Sequence, residues 1–275
     1  MVDKTKNDYL MEHPDEALRL DIKTDPDAVR EQALLCGIGP GARVLDVGCG
    51  SGRASSVLHD IVGPQGEVVG VDYSEERLKY ARQHFGKKPG ISFRVADFTR
   101  PMADLGYFDY IWVRFVLEYF LREARDIVEN LTRNLKSDGR LCLLDLDHNS
   151  LNHYPLPEEM EVILFAAFQR SCRQLNFDPY AGRKLYSYLY DHNYRDIRVG
   201  MVAHHLIYGE LRPQDEYNWT RKFYVSASKN PDVFDSYPGK MDGFFEDFYR
   251  IFKDPRRFTY TPMIICSGIK PLEVM

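Results

Sequence analysis

Three carboxylates and a run of glycines carry the chemistry that this sequence offers. Val44-Leu45-Asp46-Val47-Gly48-Cys49-Gly50-Ser51-Gly52 reads as a short apolar strand that enters a tight turn from which a helix starts. Glycines in such a turn let a ligand come close to the main chain, because no Cβ stands in the way. Asp72 follows Gly52 by 20 residues and ends the next apolar run. A carboxylate there can accept both hydroxyls of a ribose. Asp97 ends the third apolar run in the same manner. Asp46, two residues before the first glycine, adds negative charge beside the turn, which repels a pyrophosphate and favours a cationic amino or sulfonium group. A GxG after a strand also opens dinucleotide sites. Here the pattern is GxGxG, and Arg53 stands where the third dinucleotide glycine would be.

These residues must be held by a sheet. Runs at 43–47, 67–71, 91–95, 108–113 and 140–146 read as strands. Between them, 53–62, 75–85 (with Ser74 as cap) and 121–135 read as helices, the last ending before Ser137-Asp138-Gly139. Strands and helices alternating in this way make βαβ units and a largely parallel sheet, hence an α/β fold. Ahead of them, 14–36 looks helical, with Asp25 as N-cap and Pro26 at the first helical position. After residue 147 the pattern changes. Helices are expected at 158–175 and 180–192, strands at 195–207 and 258–268, and irregular or helical, aromatic-rich chain at 213–253. No linker of Gly, Ser or Pro divides the chain, so a single domain is expected. Its parts are a helical lid over 1–40, a cofactor-binding half over 41–147, and substrate-lid insertions at 148–180 and 213–253.

Composition narrows the class. The chain has 275 residues, 44% of them hydrophobic and 28% charged, with 36 Lys and Arg against 41 Asp and Glu. That is an ordinary globular balance with a net charge of −5, so nothing electrostatic argues for nucleic acid. Five scattered cysteines, at 36, 49, 142, 172 and 266, suit free thiols in a reducing compartment. The first residues lack the apolar stretch of a signal peptide, and no run is long enough to span a membrane. A cytoplasmic location is therefore the expectation. No clustered Cys/His set suggests a metal.

Taken together, D46-V-G-C-G-S-G52, V-D72-Y and A-D97-F resemble the class I S-adenosylmethionine-dependent methyltransferases over residues 40–147. Val113-Arg-Phe-Val-Leu-Glu-Tyr119, Leu135-Lys-Ser-Asp-Gly-Arg140, Leu144-Asp-Leu-Asp147 and Gly182-Arg-Lys-Leu-Tyr186 extend the likeness to a small-molecule branch related to the UbiE-like group. The resemblance implies a Rossmann-like, seven-stranded, mostly parallel sheet with helices on both faces and the last strand antiparallel. It implies S-adenosyl-L-methionine as cofactor and S-adenosyl-L-homocysteine as product. Gly48, Cys49, Gly50 and Gly52 would form the turn on the methionine part, with Asp46 holding its ammonium. Asp72 would bind the ribose diol, and Tyr73 would lie on the adenine. Asp97 would accept the adenine amino group, with the Phe98 main chain against the ring. Arg114 would stand near the methionine end, or pair with Glu118 four residues on. Tyr9 and Arg19 are candidates on a closing N-terminal helix, although Arg19 can equally pair with Glu16 or Asp15.

The expected activity is methyl transfer to a small, hydrophobic or aromatic molecule at O, N or C. Most of the insert aromatics (Phe165, Phe168, Phe177, Tyr180, Trp219, Phe223, Tyr224, Phe244, Phe245, Phe248 and Tyr249) are expected to be core, but their number also suits an apolar lid that excludes water there. No catalytic residue is fixed. His148 and His153, after the fifth strand, are candidate bases, and His204 and His205 stand on a predicted strand. The lack of [DNS]PP[YFW] after the fourth strand, where this chain has VRFV, argues against amino methylation of nucleic acid. A protein methyltransferase and a non-catalytic S-adenosylmethionine sensor or scaffold stand as alternatives. An NAD-dependent oxidoreductase would need a third glycine and a catalytic dyad, and neither is evident.

Overall fold

The computed structural model describes residues 15–149 and 151–271. The five parallel strands are β1 (Arg43–Val47), β2 (Glu67–Asp72), β3 (Ile91–Val95), β4 (Phe108–Arg114) and β5 (Leu135–Leu146). Their buried runs, such as Val44-Leu45-Asp46-Val47, are apolar on both sides because helices cover both faces. Three further strands complete the sheet: β6 (His153–Tyr154), β7 (Arg195–Ile207) and β8 (Phe258–Ile269). The order is β3-β2-β1-β4-β5-β8-β6, with β7 on the other edge of β8. β8 runs antiparallel to β5, as expected of the last strand, and β7 runs antiparallel to β8. The seven expected strands are present, and the two-residue β6 makes an eighth.

Several boundaries differ from the expectation, among them the helix expected at 180–192, which begins at Leu185. α5 covers only Ala124–Thr132, and β5 begins at Leu135. Leu135 is fully buried and pairs with Phe108 across a register shift, so the Lys-Ser-Asp-Gly stretch is drawn into the strand.

Ahead of β1 the helical stretch is two helices, α1 (Glu16–Lys23) and α2 (Pro26–Leu35). Asp25 separates them, its carboxylate accepting from the Asp27 and Ala28 amides. α2, α3 (Arg53–Val62) and α4 (Glu75–His84) pack on one face of the sheet around Val44, Val68 and Trp112. α5 and α7 (Leu185–Asp191) cover the other face around Val47, Ile111 and Leu143. Residues 213–253 are helical for most of their length: α8 (Pro213–Ser228) and α9 (Lys240–Lys253) pack with α6 (Glu158–Gln174).

These three helices hold a separate aromatic core. The Phe223 and Phe248 rings stack at 4.5 Å, and Phe244 lies fully buried beside Phe234 and Tyr237. Phe177 and Phe168 form a smaller cluster with Tyr119. Most of the insert aromatics thus bury one another, while Phe165 and Tyr224 are about half exposed. Among the described residues, no helix is long and apolar enough to cross a membrane.

Candidate cofactor site

The carboxyl ends of β1, β2 and β4 open into a cleft enclosing about 800 Å³, its solvent mouth included. Its floor is the turn after β1. Gly48 and Gly50 have φ of +68° and +53°, which only glycine adopts without strain. A Cβ on Gly48 would also lie 2.5 Å from Val116 Cγ2, and one on Gly50 would lie 2.9 Å from Leu20 Cδ1. Gly52 differs. It does not line the cleft, and its missing Cβ makes room for Ala81 and Phe93 on the far side. It serves helix–sheet packing.

Asp72 ties the turn to the second strand. Its Oδ2 accepts from the Gly50 amide at 3.0 Å, and its Oδ1 accepts from the Ser74 amide and the Arg77 guanidinium at 2.9 and 3.0 Å. The pair with Arg77 is buried on both sides. A carboxylate offers about four acceptor positions, so little beyond one Oδ2 position is left for a diol. Arg77 also lies over the Tyr73 ring, 4.8 Å from its centroid.

Asp46 is buried beside the turn and accepts from Ser55 Oγ at 2.5 Å. Burial pushes its pKa up to about 7, against the Ser55 hydrogen bond and the Arg114 charge. Arg114 lines the same cleft and donates to Gln32 Oε1 at 2.8 Å, so its partner is Gln32 and not Glu118. Burial lowers it to about 10. Its guanidinium lies over the Phe115 ring at 4.1 Å, and Lys23 lies 5.2 Å from the same centroid. Phe115 has φ +59°, a conformation that costs a non-glycine residue on the order of 1 kcal/mol or more.

Cys49 and Phe98 also line the cleft, and burial pushes the Cys49 thiol well above its usual range. Asp97 does not line it. Its side chain is 41% exposed and accepts from the Thr99 amide and hydroxyl. Arg19 pairs with Glu16 through two short hydrogen bonds and faces a neighbouring cavity. Tyr9 lies outside the described residues. His148 has its ring edge against Tyr180, and His153 Nδ1 meets Thr259 Oγ1 at 2.9 Å. Neither histidine lines the cleft or the neighbouring cavity.

Sequence reasoning missed several cleft residues: Leu20, Lys23 and Thr24 of α1, Arg77, and Phe115, Tyr119 and Phe120 after β4. Arg77 had a legible signal, since it lies one helical turn past the Ser74 cap that follows Asp72. The resemblance implied an N-terminal helix over the cofactor through Tyr9 and Arg19, but nothing in the spacing singled out Leu20, Lys23 or Thr24. α1 is held by Asp21, which accepts from Arg53 at 2.7 Å and from Tyr80 at 2.9 Å.

The donor and acceptor set suits S-adenosylmethionine. Asp46 and Asp72 could face its ammonium and a hydroxyl, Arg114 its carboxylate, and Tyr73, Phe98 and Phe120 the base.

Residues 38–210 match the family model described as "Methyltransferase domain". The chain belongs to this family. UbiE, the ubiquinone/menaquinone biosynthesis C-methyltransferase of Ectopseudomonas mendocina, is 35% identical to this methyltransferase domain over 115 residues, which is 40% of this chain and 44% of that protein. The chain thus spans less than half the length of that curated relative. A Bacillus halodurans protein assigned as a methyltransferase has a crystal structure that aligns with TM-score 0.57 at 17% identity, covering 89% of this chain and 99% of that one. Phosphoethanolamine N-methyltransferase 2 of Haemonchus contortus, solved with S-adenosyl-L-methionine, aligns with TM-score 0.52 at 17% identity, over 90% of this chain and 52% of that one. The fold is that of the class I methyltransferases, as the sequence motifs implied.

Proposed function

We propose that this methyltransferase domain binds S-adenosylmethionine in the cleft above β1 and β2 and transfers its methyl group to a small molecule at O, N or C. The observation that carries the reading is the Gly48–Gly50 turn, fastened through the Gly50 amide to the Asp72 carboxylate and flanked by buried Asp46. When bound, the cofactor would supply a methyl group already made electrophilic by its sulfonium.

The chain then has to hold two partners in line and keep water out. Asp46 would face the ammonium, whose charge favours the ionised carboxylate. Arg114 would balance the cofactor carboxylate. Asp72, braced by Arg77, would take a ribose hydroxyl at its remaining Oδ2 position. α1, which reaches the cleft through Leu20, Lys23 and Thr24, would be the lid, with the α6, α8 and α9 layer beside it. The negative net charge and the five free cysteines support a cytoplasmic domain acting on a free small molecule and not on nucleic acid.

Thermal unfolding with S-adenosylhomocysteine tests this. A ligand at about 100 times its Kd should stabilise the protein by about 2.7 kcal/mol. The Tm should therefore rise by several degrees, and the rise should shrink in Asp72→Ala. No rise at millimolar ligand would contradict the reading.

A further inference from the structure

Beside the cofactor cleft lies a second, narrower hollow of about 400 Å³, its open mouth included, which shares Lys23 and Tyr119 with it. Its charges do not balance. Among the described residues three cations line it, Arg19, Lys23 and Lys222, against one carboxylate, Glu118. Glu118 reaches Lys222 only through an amide: Asn149 Nδ2 donates to Glu118 Oε2 at 2.5 Å, and Lys222 Nζ donates to Asn149 Oδ1 at 2.6 Å. Arg19 is engaged by Glu16. Among the described residues, no carboxylate pairs directly with Lys23 or Lys222.

Neutral polar groups without partners among the described residues stand around the same space, including the acceptor Asn218 Oδ1. Trp219 is 3% exposed, and its Nε1 has no hydrogen-bond partner among the described residues. His204 Nε2 and His205 Nδ1 are also shielded and without partners, their rings 4.1 Å apart. Enclosed ammonium groups and unsatisfied donors are costly unless something compensates them.

We infer that this cavity receives the anionic group of the methyl acceptor, a carboxylate carried on a small planar molecule. Lys23 and Lys222 would pair with it, and Trp219 would donate to it and wall it. The arrangement suits a carboxylate better than a phosphate. The only guanidinium present is committed to Glu16, and the lining lacks the glycine turn that cradles phosphates elsewhere. Protonation agrees with the geometry. Burial, then repulsion from Arg19 and Lys222, lowers Lys23 to about 7, with Glu118 and Glu16 opposing. Burial lowers Lys222 to about 8. Burial also holds both histidines well below their usual range, which leaves them neutral donors or acceptors. The inference adds an anionic group to the hydrophobic or aromatic acceptor expected from the sequence. It rests on the methyl-transfer reading for its role, but not for its test.

The chain has two tryptophans, and Trp112 is fully buried in β4, so emission from Trp219 can report on the cavity. Benzoate and benzamide are titrated into the protein saturated with S-adenosylhomocysteine. The expected result is a saturable emission change with benzoate at an affinity about tenfold or more above that of benzamide. Trp219→Phe should abolish the signal. Lys222→Met, which removes an enclosed charge, and Lys23→Met should each weaken benzoate about tenfold. Lys222→Met should leave the S-adenosylhomocysteine affinity unchanged. Equal binding of benzamide, no saturable response to benzoate, or full benzoate affinity in both lysine variants would overturn the inference. Benzoate binding without S-adenosylhomocysteine binding would uphold the anion cavity and overturn the donor reading.

Discussion

The cofactor cleft and the cavity beside it share Lys23 and Tyr119 but are built in opposite ways. The cleft is mostly main chain and short loops at the ends of β1, β2 and β4, held by hydrogen bonds between neighbouring strands. The cavity is mostly long side chains from α1, β7 and α8, elements far apart in sequence. The first is braced before any ligand arrives, as the Asp72 carboxylate shows by bridging the Gly50 amide and Arg77. The second concentrates enclosed positive charge that its own residues do not neutralise. A shared cofactor can be met by a rigid frame, whereas a particular acceptor is met by whichever side chains the later helices bring.

Substitutions at the turn should separate frame from packing. The largest effect is expected at Gly50→Val, where φ +53° and the contact with Leu20 both oppose a side chain. S-adenosylhomocysteine binding should vanish from calorimetry while the circular dichroism stays native. Next comes Asp72→Ala, which removes a buried carboxylate from Arg77 and the acceptor from the Gly50 amide. Its binding loss should be about 1–3 kcal/mol, with a lowered Tm in the same protein. Retained affinity would show that Asp72 only braces the turn.

Gly52→Ala should act differently from Gly50→Val. A Cβ there meets Ala81 at 2.8 Å and Phe93 at 2.9 Å, and φ is +80°. The cost should fall on stability, about 1–3 kcal/mol in denaturant unfolding, with a smaller change in ligand affinity. Equal losses of affinity at the two glycines would erase the distinction drawn between them.

The smallest effect is expected from Asp46, and its sign is fixed by the raised pKa of about 7. The folded state keeps a proton that the unfolded chain loses near pH 4. The stability owed to this group is therefore full below that pH and lost as pH rises to about 7. Ligand binding should run the other way, because the ionised carboxylate attracts the ammonium. Affinity for S-adenosylhomocysteine should rise about three- to tenfold between pH 6 and 8. Asp46→Asn should flatten both slopes, as calorimetry and melting across that range would show.

The cleft was legible in the sequence where its chemistry is local. Asp46, Gly48, Gly50 and Asp72 sit at strand ends whose apolar runs announce themselves, and Ser74 and Asp25 mark helix starts through their capping chemistry. Asp97 followed the same pattern, yet its side chain turns to Thr99 and solvent, because a strand end fixes the backbone and not the rotamer. The cavity was not legible. His204 and His205 stood out only as a pair on a strand, and nothing in the sequence marked Lys222 or Lys23. Their meeting depends on α8 packing beside α1, a contact seen in Gln214 donating to the Ile22 carbonyl across almost the whole chain. No local period encodes such a contact. The aromatics of 213–253 were legible as core for the most part: α8 and α9 need a core of their own, and Phe223 stacks on Phe248 within it.

The central claim is that the Gly48–Gly50 turn with Asp46 and Asp72 is an S-adenosylmethionine site. Calorimetric titration of the purified protein with S-adenosylmethionine, S-adenosylhomocysteine and NAD tests it most directly. The account predicts saturable one-to-one binding of the first two and no heat with NAD. Binding of NAD alone would contradict it.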